Sequence, residues 1–191
     1  MKKNIILFLF IVFIRSSLLA QSTKITDQTI GDIRLKQSIN KLKIHKGWTL
    51  KHNSKMINGG KETIYTVWED GKMIVEINPK LNRKTMKYTD KIDKITTYST
   101  KYKTSKGLMV GSTLESVLNK YPNGSIVKSS EGKLLVQSSE EYILYIIDPK
   151  SYIGPKDKLK HHESTYFIND FSKDAKIIAI NIFNVEEETN M

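Results

Sequence analysis

The stretch Val110–Pro122, VGSTLESVLNKYP, reads as a short amphipathic helix that carries its own start and stop signals. Ser112 and Glu115 stand in the S-x-x-E relation of a capping box, in which each side chain satisfies a backbone N–H left unpaired by the first turn. Thr113 is the alternative cap, and Gly111 permits a sharp turn into the helix. Leu114, Val117, Leu118 and Tyr121 then recur at i, i+3, i+4 and i+7, the spacing of one buried helix face. Pro122 and Asn123-Gly124 end the run.

Extended segments follow. SIVKS from Ser125, KLLVQS from Lys133 and EYILYIID from Glu141 are separated by Glu131-Gly132 and a Ser/Glu cluster, the punctuation of antiparallel strands. A polar loop, Pro149–Ser164, precedes TYFIND and a closing strand KIIAINIF, Lys176–Phe183. The expected core of this half is Leu114, Val117, Leu118, Ile143, Tyr145, Ile147, Ile178, Ile180 and Ile182.

The same order stands upstream. LKQSINKL, Leu35–Leu42, aligns with VGSTLESV, Val110–Val117, at an offset of 75 residues, so that Ser38 falls on Thr113 and Ile39 on Leu114. GWTLKH, ETIYTVW and KMIVEINP then alternate with Asn58-Gly59-Gly60 and Glu69-Asp70-Gly71 turns, and KIDKITTY, Lys91–Tyr98, matches KIIAINIF at an offset of 85. Internal repetition of this kind predicts an α+β fold of two tandem units, 21–106 and 107–185. Each is a short helix packed on a three- or four-stranded antiparallel sheet, and an acidic tail, 186–191, follows.

The VGSTLESVL segment, 110–118, resembles the G-x-T-x-x-x-V-L helix entry of the β-lactamase-inhibitory-protein fold, an entry shared by envelope lipoproteins of the SmpA/OmlA type. The resemblance implies a short helical element on a four-stranded antiparallel sheet, with two units in tandem in the inhibitory proteins, and a binding habit without a particular partner. The first copy departs from the pattern, with Lys36-Gln37-Ser38 in place of Gly-x-Thr, and the Cys pairs of the inhibitors are absent. The segment also resembles the GLxVGST entry of uncharacterised secreted proteins of Gram-negative bacteria.

The chain's ends bear on its destination. Lys2 and Lys3 precede an apolar run, Ile5–Ile14, and LLA closes at Ala20, the pattern of a secretory signal over residues 1–20. Arg15 stops the run well short of the roughly 20 apolar residues that a spanning helix needs. The expected product is exported, periplasmic or secreted, with no transmembrane segment after signal removal. There are no Cys, so no disulfide framework and no thiolate chemistry. The net charge of +11 is unevenly spread: residues 21–106 hold 19 Lys/Arg against 8 Asp/Glu, and residues 107–191 hold 9 against 12. Such asymmetry marks a surface for anionic partners, and export makes nucleic acid the wrong one.

Catalytic motifs are absent as strings: there is no G-x-S-x-G, HExxH or P-loop. His161 and His162 adjoin in the long loop, with Asp157 and Glu163 nearby, but adjacent residues on an extended loop splay apart where a metal needs converging ligands. A solvated loop is the plainer account of them. The carboxylate pairs Glu69-Asp70 and Glu140-Glu141 sit at expected turns, where acidic residues are ordinary, and nothing in the sequence brings the distant Asp148 and Asp174 together. No catalytic residue, metal site or cofactor is assigned. The aromatic residues of the basic half carry more: Trp48, Tyr65 and Trp68, interleaved with lysines that include Lys94, form the candidate binding set. Strand alternation sends Tyr65 and Trp68 to opposite faces. The expectation is a non-catalytic exported protein that contacts an envelope or secreted partner through an open sheet face. The alternatives are an exported hydrolase using the 149–164 loop and a structural envelope component held on an anionic surface.

Overall fold

β-Branched and aromatic residues at alternate positions, punctuated by glycine-bearing turns, put most of the chain into antiparallel strands. The computed structural model describes residues 22–57, 60–138, 140–161 and 166–185, without the side chains of 55–57, 60 and 61. The expected signal, the acidic tail, His162 and Glu163 lie outside the described residues.

The strands are β1 Lys24–Ile25, β2 Thr29–Ile30, β3 Ile33–Arg34, β4 Trp48–Ile57, β5 Gly60–Glu69, β6 Lys72–Asn82, β7 Lys87–Thr97 and β8 Lys103–Thr104. The helix α1, Leu114–Lys120, precedes β9 Ser125–Lys128, β10 Leu134–Gln137, β11 Ile143–Ile147 and β12 Ile177–Phe183. Eight strands form one sheet in the order β4-β5-β6-β7-β12-β11-β10-β9, and a small sheet has the order β3-β2-β1-β8. The β5–β6 hairpin turns at Asp70 and Gly71, both at positive φ (49° and 73°), the conformation that a two-residue turn needs to match strand twist.

This fold is mostly β and corrects the expected α+β pair of helix-plus-sheet units. Among the described residues there is one α-helix, and the strands of both halves join through β7 and β12 into a single sheet. The first candidate helix, Leu35–Leu42, supplies only a 3-10 turn at Ile39–Lys41, because Ser38 makes no side-chain cap and Leu42 is already extended. In the second stretch Thr113, not Ser112, is the cap: its Oγ1 accepts the Ser116 N–H at 3.1 Å. Ser112 Oγ accepts instead from the Met109 N–H, outside the helix.

One apolar cluster holds the molecule together. The inner face of the large sheet contributes Val67, Val75, Ile77, Ile95, Val136, Ile143, Tyr145, Ile147, Ile180 and Ile182. Ile25, Ile30, Leu35, Ile39, Tyr102, Leu114, Val117 and Tyr121 cover it from the small sheet, the 3-10 turn and α1. Leu118 is only partly buried against this cluster. Ile178, expected in the core, is 40% exposed. The register slips between Ile146 and Ile147, which face Ala179 and Ile177 respectively. Ile178 is therefore the extra residue of a bulge, and Ile177 takes the inward position that strict alternation assigned to Ile178.

Candidate functional site

The outward face of the large sheet contributes no residue to the core cluster. Strand register lays out its chemistry. Lys51 faces Thr66, which faces Glu76, which faces Thr96; Asn181, Leu144 and Gln137 continue the row across β12, β11 and β10. A second row sets Asn78 and Phe183 on either side of Lys94.

At the β4–β5 end, Lys51 Nζ sits 4.1 Å from the centroid of the Trp68 ring, a cation–π arrangement. The Trp68 indole N–H donates to Thr66 Oγ1 at 2.9 Å. Tyr98, at the end of β7, has its hydroxyl pushed up to about 12 by burial and by Glu76 and Glu131, and is neutral.

Towards the β6–β7 turn, the face deepens into a groove of about 470 Å³. Asn78, Lys94, Asn181 and Leu144 line it from the sheet, and the β9–β10 turn brings in Ser129, Glu131 and Lys133. Two local features shape the wall. Pro79 cannot donate to the ladder, and the register between β6 and β7 breaks beside it: Asn78 faces Lys94 while Pro79 faces Ile92. Asp93 is therefore a bulged residue, a device that re-aims a side chain, and it too lines the groove.

The electrostatics of the groove divide in two. Glu131 is held below the usual carboxylate range by the Lys133 hydrogen bond, against the opposing effect of burial, with Lys94 assisting. The distances are 2.6 Å to Lys133 and 3.5 Å to Lys94. Glu62 Oε1 accepts from Asn78 Nδ2 at 3.0 Å, and burial beside Glu62 raises the Tyr88 hydroxyl. Asn78 and Asn181 are each 7% exposed, and each has a buried amide oxygen without a hydrogen-bond partner.

The four residues singled out from sequence separate by face. Trp48 is buried on the inner side, where its indole N–H donates to Glu69 Oε1 at 3.0 Å. Tyr65 packs against the core and lies 4.9 Å from the His52 ring. Trp68 and Lys94 alone share the outward face. Asn78, Asn181, Glu62 and Glu131 escaped sequence reasoning. Asn is depleted in strands, so its recurrence inside IVEINP and IAINIF was the available signal.

The 148–176 segment is built for packing. Its 3-10 turns at Pro149–Ser151, Lys156–Lys160 and Ile168–Asp170 are tied by a Lys158–Asp170 ion pair of 3.1 Å. Asp148 and Asp174 do line one small cleft, but Asp148 Oδ1 accepts the Lys150 N–H and a hydrogen bond from Ser172 keeps the Asp174 carboxyl low. His161 is exposed. Among the described residues no three His, Asp or Glu are grouped to hold a metal, and no helix is long and apolar enough to cross a membrane.

No family model matches the chain, and no curated protein matches it. Among solved structures, the fold is similar to the crystal structure of the uncharacterised protein YfeY from Escherichia coli. That likeness has a TM-score of 0.61 at 15% identity and covers 85% of this chain and all of YfeY.

Proposed function

We propose that this protein is a non-catalytic exported binding protein that docks an envelope or secreted partner on the outward face of its large sheet. One observation carries the reading: that face adds no side chain to the apolar cluster behind the sheet, yet holds Trp68, Lys51 and Lys94 together with a groove of mixed charged and apolar lining. A tryptophan beside cations is the residue mix that anchors protein contacts.

The test uses the absence of Cys. Single cysteines at Lys51 and Gln137, exposed on the outward face, and at Asn40 and Glu115, exposed on the opposite side, each carry a photo-crosslinker into an envelope extract of the producing organism. A partner captured from the first pair and not from the second is expected, and Trp68→Ala lowers its yield. Equal capture from both sides, or none from either, overturns the reading.

A further inference from the structure

The groove beneath the β9–β10 turn has an unmet demand of one kind. Its buried, unpaired atoms are both acceptors, Asn78 Oδ1 and Asn181 Oδ1. A buried acceptor without a protein donor is unfavourable and is met by an ordered water or by an incoming donor that displaces it. The orientation of Asn78 is fixed, because its NH₂ group donates to Glu62 at 3.0 Å, so the oxygen is the atom left for an incoming group.

The charges tell the same story. Glu131 is matched by Lys94 and Lys133. Glu62 and Asp93, which also line the groove, enter no ion pair among the described residues. An anion would meet unpaired oxygens here, and the groove wall carries three carboxylates, Glu62, Asp93 and Glu131, against two ammonium groups, Lys94 and Lys133. A cationic donor satisfies both. The chain's net charge of +11 does not forbid it, since the Debye length is only ~8 Å at physiological ionic strength and, of the groove's own lysines, Lys94 and Lys133 are both engaged by Glu131. The Tyr88 and Phe183 rings at the rim add faces that attract a cation.

We propose that the groove is a recognition site for a basic side chain, a guanidinium or ammonium group, presented by the partner that docks on the outward face. The inference rests on the docking reading above and names its chemistry. The head group lies against Glu62 and Asn78 on β5 and β6. Asn181 lies on β12, two strands away and two residues along from Phe183, the residue in line with Asn78, which sets the two asparagines ~12 Å apart, and it receives an N–H from the backbone that carries the basic side chain.

The experiment titrates the purified protein with Nα-acetyl-arginine amide and with Nα-acetyl-citrulline amide, its neutral isostere, read by amide chemical shifts. Saturable binding of the arginine compound, at least about 10-fold tighter than citrulline, is expected, with shifts centred on Asn78 and Asn181. Glu62→Gln abolishes the preference for arginine. Asn181→Leu weakens both compounds alike, and the unchanged shifts of core residues in both variants report an intact fold. Equal binding of the two compounds, a preference that survives Glu62→Gln, or no saturation overturns the cation site while leaving the face-selective crosslinking result untouched. Spermidine binding more tightly than the arginine amide, with the same dependence on Glu62, assigns the cation site to a free amine and overturns the partner's side chain as its source.

Discussion

The Lys36 amide donates to the Ile92 carbonyl at 2.8 Å, and Gly111 makes the same bond to Ile177 at the same distance. In return Ile92 donates to Gln37 and Ile177 to Ser112. Both entering residues sit at positive φ, 63° for Lys36 and 92° for Gly111, where a side chain is strained and glycine is not. Lys36→Gly is therefore expected to raise stability by up to about 1 kcal/mol, and Gly111→Ala to lower it by about 1–2 kcal/mol. Urea unfolding midpoints check both. A Lys36→Ala variant, which keeps the Cβ, is the control and stays near the parent.

The Tyr121 hydroxyl donates to Glu141 at 2.5 Å and lies 3.0 Å from the Tyr145 hydroxyl. Tyr121 has one proton to give, so Tyr145 donates to Tyr121 and the pair forms a directed chain ending on a carboxylate. Burial and these two hydrogen bonds hold Tyr121 far above the usual phenol range, so it is neutral throughout. Tyr121→Phe removes one of the two hydroxyl partners of the buried Tyr145, leaving Thr104, and is expected to cost about 1 kcal/mol. The Tyr121→Phe/Tyr145→Phe double variant should lose less than the sum of the singles, because they share one network. Thermal or urea unfolding of the four proteins measures this.

Asp170 ties the 148–176 segment together. Its carboxylate accepts the Phe167 N–H at 2.9 Å and the Lys158 ammonium at 3.1 Å, and its carbonyl accepts from Ile153 and Gly154. The Phe167 bond, then Lys158, hold its carboxyl below the usual range against the effect of burial. A depressed carboxyl contributes stability above its unfolded value, about pH 4, and that stability is lost as pH falls through the folded value below it. Amide exchange at Ile153 and Gly154 is therefore expected to quicken, after correction for intrinsic rates, as pH drops from 5 towards 3. Asp170→Asn should remove this acid step and cost about 1–3 kcal/mol at neutral pH.

The bulge in β12 separates two neighbouring isoleucines. Ile180 is fully buried and Ile178 is 40% exposed. Ile180→Ala is expected to cost about 2–5 kcal/mol, whereas Ile178→Ala should change stability by no more than about 0.5 kcal/mol. Similar urea midpoints for the two variants would contradict the register slip at Ile146/Ile147.

What the sequence by itself determined is local. The span of α1 follows from Thr113 reaching the N–H three residues on, from the Leu114–Val117–Tyr121 face and from the stop at Pro122, all within a few turns of chain. The Asp70-Gly71 hairpin and the opposite facing of Tyr65 and Trp68 are equally short-range, since both depend on strand geometry alone. Tertiary structure decided the rest. Leu35–Leu42 makes the same bonds to its closing strand as the α1 stretch does, yet it leaves the helical path at Leu42 and Ser38 makes no side-chain cap, an outcome its amphipathic spacing does not reveal. The fusion of β7 with β12 into one sheet, the bulges at Asp93 and Ile178, and the meeting of Asn78, Lys94 and Asn181 at one groove all depend on strand pairing. A strand's N–H and C=O groups are the same whichever partner they meet, so its own residues do not name the neighbour, and only the common core behind the sheet selects it.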